Sequence, residues 1–313
     1  MYTSQIEIES FLKEYERSRI VTITSVRSVL NRALEFEQKF HKPFYLFTIE
    51  EILEMYRAAK AISNRSLQNA NLALKHATKW IAYTKNIEIK NVYEDITKDL
   101  ITSCVDEKKK ESQILTKDDL EEIQSQLLNW TDKSILFLLF EGAGGYMLKE
   151  LTFMQWEQVS RKDLKMYWKN GKIINITPKD YDMLRQGFYE TELISFGETN
   201  RISRVKSLGM YKARFNTLSD NANPADFGDV ERRYRFVMRR LNLISKDLGV
   251  TLTSSGLQES GFLHYIREGM QTSGLSFLEY IRTEEARALA RRYDLYTDLY
   301  IQIIKDKFFK YFQ

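Results

Sequence analysis

Apolar residues recur at helical spacing in four segments of the first third of the chain. In the second of these segments, Val26, Leu30 and Ala33 fall on one side of a helix, because they lie three or four residues apart. Thr48 and Glu51 have the spacing of a capping box, which marks the start of the third segment. The pattern therefore predicts four helices, over residues 4–17, 24–40, 48–62 and 66–85.

The following segment, residues 102–113, has the sequence "TSCVDEKKKESQ", with few apolar residues and a run of charges. This composition is typical of a solvated connection between domains. We therefore predict a helical domain over residues 1–101, a linker over residues 102–113 and a second domain over residues 114–313.

The second domain mixes helices with a short β-sheet. Thr116 and Asp119 open a helix, which is followed by the apolar run "SILFLLF" and the glycine-rich "EGAGG". The stretch "KMYWKNGKIINIT" contains two β-prone runs around Asn170-Gly171, a dipeptide that favours a tight hairpin turn. Further helices are predicted near residues 179–190 and 229–247 and from there to the end. The fold class is therefore mainly α with a small antiparallel β-sheet.

Composition narrows the class of protein. The 313 residues are 43% hydrophobic and 29% charged, which is typical of a soluble globular protein. No apolar run approaches the ~18 residues of a membrane span, and the N-terminus lacks the order of a signal peptide. The single cysteine, Cys104, and the three histidines exclude an internal disulfide and a zinc-ligand cluster. We expect a cytoplasmic protein with no cofactor and no metal.

Several stretches resemble the tyrosine recombinase (phage integrase) family. In the second domain, "ILTKDDLEEI" is similar to the opening of the family's catalytic domain, and "KELTFMQWEQV" resembles the stretch that follows its first arginine. In the first domain, "ITSVRSVLNRALEFEQKF" and "SNRSLQNANLALKHATKWIAY" resemble helices of the core-binding domain. The resemblance implies a two-domain architecture, with a four-helix core-binding-like domain that contacts DNA and a catalytic-like domain.

The family's charged catalytic groups are missing from the matching positions. Its motif His-x-Leu-Arg-His-Ser is matched by "SGLQES", which keeps the Gly, Leu and Ser but none of the groups that handle charge. The positions that lost the family's residue are Met147, Ser255, Gln258, Glu259 and Glu284. Tyr293 is retained at the position of the nucleophile. Because losing one charge-stabilising donor costs about 10²–10³ in rate, the resemblance implies a member without strand-cleavage activity.

Two other assignments remain open at this point. His264 and Arg267 form a literal His-x-x-Arg, which an active enzyme could use with Tyr293 or Tyr300. We regard this motif as a decoy, because its arginine lies only two residues before Gly269. The family's hairpin lysine is matched by Lys169 or Lys172, although lysines beside an exposed turn are common.

Basic and amide residues predict where DNA is bound, since phosphate contacts supply most of the affinity for DNA. The formal charge of +4 is weak evidence for DNA binding by itself, so the positions of the basic residues matter more than their number. The predicted contacts of the first domain are Arg27, Arg65, Gln68, Asn69, Lys75 and Lys79. Those of the second domain are Arg201, Arg204, Lys206, Arg232 and Arg233, with Arg235, Arg239 and Arg240 in the same cluster. Asp229 and Glu231 are close enough in sequence to pair with some of them.

The resemblance implies a sequence-specific transcriptional repressor that binds double-stranded operator DNA and maintains phage lysogeny on an inactivated recombinase scaffold. The alternatives are an active recombinase with substituted catalytic residues and an accessory protein that bridges DNA. The expected location is the cytoplasm of a bacterial host, in association with the nucleoid. The aromatic residues of the C-terminal "IIKDKFFKYFQ" pack either on a second copy of the chain, giving a homo-oligomer, or on their own domain.

Overall fold

The structure is a computed structural model that describes residues 5–18, 23–61, 63–168, 171–194, 202–204 and 227–313. The chain forms two compact units, which divide between Glu111 and Ser112. This division falls inside the segment predicted as a linker, although short helices occupy part of that segment. None of the helices within the described ranges combines the length and the apolar character that crossing a membrane requires.

The N-terminal unit is helical, as the apolar spacing predicts. Thr48 and Glu51 form the expected capping box, and the side chain of Ser63 caps the next helix by accepting a hydrogen bond from the Ser66 amide. The third helix ends at Ala58, four residues earlier than predicted. The helices of this unit in the described ranges are α1 (Gln5–Ser18), α2 (Ile23–Phe40), α3 (Ile49–Ala58), α4 (Asn64–Lys85), α5 (Lys98–Thr102) and α6 (Glu107–Glu111).

The C-terminal unit is built around a helix that is buried along most of its length. The helices described here are α7 (Lys117–Gln126), α8 (Trp130–Phe140), α9 (Lys149–Thr152), α10 (Pro178–Tyr189), α11 (Phe227–Leu248), α12 (Ser254–Ser273), α13 (Phe277–Tyr280), α14 (Glu284–Arg292) and α15 (Tyr300–Phe308). Helix α8 contains the run "SILFLLF" and is buried from Ser134 to Phe140. It packs against α10 and α12, so it forms the centre of the unit.

Close packing at the end of α8 requires a glycine on α12. A Cβ atom built on Gly261 would overlap the carbonyl oxygen of Phe140, so only glycine allows the two helices to approach this closely. The same approach brings the end of α8 next to Tyr293, which lies directly after α14.

The predicted hairpin is present within a three-stranded antiparallel sheet. The strands are β1 (Val159–Ser160), β2 (Lys165–Tyr167) and β3 (Ile173–Asn175), and Met166 pairs with Ile174 across β2 and β3. Gly171 has a φ of +84°, which suits the tight turn. A second antiparallel pair is formed by β4 (Glu192–Ile194) and β5 (Ile202–Arg204). The prediction of a mainly α fold with a small antiparallel sheet is confirmed.

Candidate functional site

The stretch "SSGLQES" begins helix α12. The hydroxyl of Thr253 caps this helix by accepting a hydrogen bond from the Gly256 amide at 2.9 Å. Ser260 is buried, and its hydroxyl accepts a hydrogen bond from the Leu115 amide at 2.8 Å. A side chain at Gly256 would press on Gln113, with its Cβ atom 2.9 Å from that residue's Cβ. The residues that this chain shares with the family motif therefore contribute to helix capping and packing.

Gln258, at the position predicted to match the family's second arginine, is hydrogen-bonded to the backbone. Its Nε2 atom donates a 2.6 Å hydrogen bond to the carbonyl oxygen of Ala143. Ser255, at the position of the motif's histidine, is exposed, and its hydroxyl lies 3.4 Å from that of Thr253. Neither side chain can supply the positive charge that a phosphoryl transfer needs.

Tyr293 is buried, with 7% of its surface exposed. Its hydroxyl donates a 2.6 Å hydrogen bond to the carbonyl oxygen of Phe140, and its ring packs edge-on against Phe262. Burial raises the pKa of the Tyr293 phenol well above its ordinary value, although Arg292 opposes the shift. Tyr293 is therefore a packed, hydrogen-bonded aromatic residue.

A glycine-rich turn follows α8, in the stretch predicted to match the family's first arginine. Gly142 and Gly145 have φ values of +89° and +76°, and Met147 and Leu148 are also left-handed, with φ values of +52° and +56°. Left-handed backbone is uncommon for residues other than glycine, so two in succession mark a tightly constrained turn. The structure shows that "EGAGG" forms a turn, and its replacement of the family's arginine-bearing segment stays a prediction.

Lys172 projects from the hairpin into this turn and is 9% exposed. Its ammonium group contacts Glu150 at 3.0 Å and Asp294 at 3.0 Å. The idea that Lys172 is an ordinary lysine beside an exposed turn is therefore wrong, while Lys169 lies outside the described residues. We call the group of residues that meet here the degenerate centre. It consists of the Gly142–Gly145 turn, Glu150, Lys172, Gln258, Tyr293 and Asp294.

A buried ion pair borders the degenerate centre. The guanidinium of Arg292 pairs with the carboxylate of Glu141, and its Nε atom donates a 2.9 Å hydrogen bond to the Glu141 carbonyl oxygen. The hydroxyl of Tyr265 contacts both carboxylate oxygens of Glu141, at 2.8 and 2.9 Å. Arg292 is thus held by the carboxylate and the backbone carbonyl of Glu141.

Sequence reasoning missed Glu141, Glu150 and Asp294. The sequence marks their positions only weakly: Glu141 opens "EGAGG", Glu150 lies in "KEL", and Asp294 directly follows Tyr293. The acidic residues that we did single out have partners of their own. Glu259 pairs with Lys307 at 2.8 Å, and Glu284 pairs with Arg287 at 2.9 Å.

Both side chains of the alternative motif, His264 and Arg267, lie against aromatic rings. The His264 ring packs against the rings of Phe140 and Tyr265, at centroid distances of 5.7 and 5.1 Å. Burial lowers the pKa of His264, and the guanidinium of Arg267 lies over the ring of Phe312. Tyr300, the other candidate nucleophile, is buried and donates a hydrogen bond to the Ile281 carbonyl oxygen.

Three of the predicted DNA contacts in the N-terminal unit are paired with carboxylates. Arg27 pairs with Glu9, while Lys75 and Lys79 both contact Glu94, at 3.3 and 2.6 Å. Arg65, Gln68 and Asn69 are exposed on α4. Among the described residues, these last three are therefore the predicted contacts of this unit that no ion pair with a carboxylate engages.

Arg65 lies on a groove of about 730 Å³ that runs between α2 and α4. The α2 side carries Ser25, Ser28 and Arg32, and the α4 side carries Arg65 and Asn69. Arg32 is exposed, and no ion pair joins Arg32 or Arg65 to another described side chain. Sequence reasoning missed Arg32, although its helical spacing from Ser25 and Ser28 places all three on one face of α2.

The basic residues of the C-terminal unit have different environments. Arg232 is exposed on α11, whereas Arg233 is 1% exposed. Arg233 donates a 2.9 Å hydrogen bond to the Thr152 carbonyl oxygen and lies over the Phe153 ring. The prediction of a DNA contact is wrong for Arg233, because its guanidinium is inside the unit.

Two further arginines of the predicted cluster are paired with carboxylates. Arg240 forms a buried pair with Asp132, at 2.5 Å, and Arg235 pairs with Glu231 at 2.7 Å. Arg201 and Lys206 lie outside the described residues, and so does the side chain of Arg204, whose backbone belongs to β5.

The aromatic residues at the C-terminus pack on their own unit. Phe308 is fully buried against Phe262, with ring centroids 5.0 Å apart. Phe312 stacks on Phe277 at 4.4 Å. Of the two possibilities that the sequence left open, these contacts favour packing within the chain.

Comparisons with known proteins find a family model and similar proteins. A family model described as "MrpR, C-terminal catalytic domain" matches residues 114–309. The "SPbeta prophage-derived uncharacterized protein YopR" of Bacillus subtilis (strain 168) is 27% identical over 177 residues, which is 56% of this chain. The match spans about half, 51%, of that relative's length. A crystal structure of XerA recombinase covers 97% of this chain and 98% of its own, with a TM-score of 0.31 and 15% identity. A TM-score this low does not support a conclusion about fold or function.

Proposed function

The chain belongs to the family described as "MrpR, C-terminal catalytic domain", and from that premise we propose that it is a sequence-specific DNA-binding repressor that does not cleave DNA. Membership confirms the predicted relation to the tyrosine recombinases. The similarity to an SPbeta prophage protein supports a role in a phage life cycle. The sequence also resembles the master repressor of SPβ-type Bacillus phages, so the proposed role is the maintenance of lysogeny.

The observation that carries the proposal is the state of Tyr293. A recombinase of this family attacks a DNA phosphodiester with a tyrosine oxygen, and here that oxygen donates a hydrogen bond to the Phe140 carbonyl from a buried position. Met147 and Gln258 bring no positive charge to replace the two arginines that would stabilise the transferred phosphoryl group. Glu150 and Asp294 would repel that phosphoryl group.

The α2–α4 groove supports DNA binding. Arg32 and Arg65 lie on opposite sides of it, with no carboxylate partner among the described side chains. Asn69 lies beside them with an amide that can contact a base edge. Arginine is suited to this role because its guanidinium presents a planar fork of donors to a phosphate. In the C-terminal unit, Arg232 remains a proposed contact, and Arg201, Arg204 and Lys206 remain proposed contacts by sequence alone.

The test is to recover the DNA fragments that the full chain binds from sheared phage and host DNA, and then to measure affinity for the recovered site and for random duplexes at one salt concentration. A repressor predicts that the site is bound at least about 10³-fold more tightly, the low end for specific regulators. A ratio near one would favour a DNA-bridging accessory protein. A reporter placed behind the site should be repressed equally by the parent chain and by Tyr293→Phe. Loss of repression on that substitution, with the protein still folded, would favour the recombinase.

A further inference from the structure

The degenerate centre contains a set of hydrogen-bond donors that would suit an anion. The amides of Gly144 and Gly145 are consecutive donors in a turn, and the ammonium group of Lys172 points at the same place. Successive backbone amides in a turn form a concave site for phosphate, and a lysine ammonium adds charge to it. The arrangement of donors is therefore that of a phosphate site.

The chain's own carboxylates occupy these donors. One oxygen of Glu150 accepts a hydrogen bond from the Gly144 amide at 2.8 Å, and both of its oxygens contact the Lys172 ammonium, at 3.0 and 3.1 Å. Asp294 accepts a hydrogen bond from the Gly145 amide at 3.2 Å through one oxygen and contacts Lys172 at 3.0 Å through the other. Each carboxylate thus bridges an amide and the ammonium, as two oxygens of one phosphate would.

The arrangement is enclosed on the side of the turn. A Cβ atom at Gly144 would lie only 2.7 Å from the Asp294 carboxylate and 3.2 Å from Gln258 Nε2. The Lys172 side chain is 9% exposed and Glu150 is 16% exposed, while Asp294 is half exposed and closes the outer side. An incoming phosphate would meet two negative groups before it reached any donor.

We propose that Glu150 and Asp294 act as built-in substitutes for a DNA phosphate, so that the degenerate centre excludes the DNA backbone. This inference rests on the proposed function in one respect, the statement about DNA, and deepens it by naming residues that determine specificity. By holding Lys172 and the turn amides, the two carboxylates remove a site of sequence-independent phosphate binding. The DNA contacts that remain are those on other surfaces, where base edges can be read.

The key variant is Asp294→Asn. Asparagine keeps the shape of the side chain and tolerates the left-handed backbone at this position, where φ is +56°. The matched control is Asp298→Asn, four residues further along the same exposed segment, where the same charge is removed away from the turn. Unfolding midpoints of both variants without phosphate establish that they are folded.

The first measurement uses inorganic phosphate and needs no DNA. The midpoint of thermal unfolding is measured for the full chain in phosphate and in chloride at equal ionic strength. Because a ligand that binds only the folded state raises the midpoint, phosphate should stabilise Asp294→Asn in a saturable way and should not stabilise the parent chain or Asp298→Asn. An equal response of Asp294→Asn and Asp298→Asn to phosphate would overturn the proposal.

The second measurement is a salt titration of random duplex DNA. One additional phosphate contact makes the logarithmic salt slope steeper by about 0.9, so between 200 and 50 mM salt the affinity of Asp294→Asn should rise about threefold more than that of Asp298→Asn. Adding Lys172→Gln to Asp294→Asn should abolish this gain, whereas Lys172→Gln alone should leave the parent slope unchanged. An unchanged slope for Asp294→Asn would overturn the statement about DNA.

The two measurements keep the inference separate from the proposed function. If the parent chain bound no DNA at all, the repressor proposal would fail, and the phosphate titration would still decide whether the carboxylates stand in for an anion. If phosphate stabilised Asp294→Asn while the DNA slope stayed the same, the anion site would stand and the exclusion of the DNA backbone would be refuted.

Discussion

The hydroxyl of Tyr293 donates a 2.6 Å hydrogen bond to the carbonyl oxygen of Phe140. This contact joins the residue after α14 to the end of the buried helix α8, at the point where Gly261 allows α12 to approach. Tyr293, at the predicted position of the family's nucleophile, therefore has a structural role. It fixes the degenerate centre to the core of the C-terminal unit.

Replacing Tyr293 by phenylalanine should lower stability and leave DNA binding intact. The substitution removes a buried hydrogen bond and leaves the Phe140 carbonyl without that donor, so the free energy of unfolding should fall by about 1 kcal/mol. Urea denaturation measures this change, and Tyr296→Phe, at a half-exposed tyrosine, is the control that should change little. Loss of DNA binding by a stable Tyr293→Phe protein would contradict the assignment.

Arg32 and Arg65 should contribute to DNA affinity through phosphate contacts. Each change to glutamine should weaken binding to all sequences alike and make the logarithmic salt slope shallower by about 0.9. Lys98→Gln removes the same charge from an exposed position on α5 in the same unit and should have a smaller effect. Equal effects of the three substitutions in a salt titration would show that net charge, and not the groove, governs binding.

Arg233 should matter for folding and not for DNA contact. Its buried guanidinium bonds to the Thr152 carbonyl and covers the Phe153 ring, so Arg233→Ala should lower the free energy of unfolding by about 3 kcal/mol. Arg239→Ala, at an exposed position of the same helix, should change it by less than about 0.5 kcal/mol. Comparable stability of the two variants in denaturant would disprove the structural role.

His264 should make the protein less stable in mild acid. Burial lowers the pKa of His264 in the folded chain below the value of about 6.5 that it has when unfolded, so the unfolded state binds the proton more readily. Its contribution to stability is therefore complete above about pH 6.5 and is lost as the pH falls from there through the lower pKa of the folded chain. Glu268, at 3.3 Å, reduces the effect without reversing it.

The measurement is the free energy of unfolding as a function of pH between neutrality and mild acid. His264→Phe should flatten the curve below about pH 6.5, because the titrating group is gone. His41→Gln, at an exposed histidine, is the matched control. If the parent chain and His264→Phe lost stability in parallel on acidification, another group would be responsible.

The fold was largely predictable because it depends on local patterns. Helices α1, α2 and α4 begin and end within two residues of the predicted limits, and the Thr48 capping box and the turn at Gly171 lie where their signatures indicated. Such signals act between residues that are close in sequence. The early end of α3 at Ala58 was not signalled by its apolar spacing.

The degenerate centre was predictable only in part. The sequence predicts which positions match the family's arginines and histidines, but it does not show which side chains surround those positions. Lys172 and Asp294 are 122 residues apart in the chain, and their pairing depends on how the hairpin and α14 pack around α8. The same limit explains Arg233 and Arg232, which are neighbours in one basic cluster and differ in burial because α11 turns one of them inward.

The central claim, DNA binding without cleavage, is tested most directly with a nicked suicide duplex that contains the recovered binding site. In such a substrate a covalent tyrosine–DNA intermediate cannot be resealed, so even a slow reaction accumulates an adduct that survives denaturing electrophoresis. The account predicts a complex on a native gel and no adduct on the denaturing gel, for the parent chain and for Tyr293→Phe alike. An adduct formed by the parent chain and lost in Tyr293→Phe would contradict it.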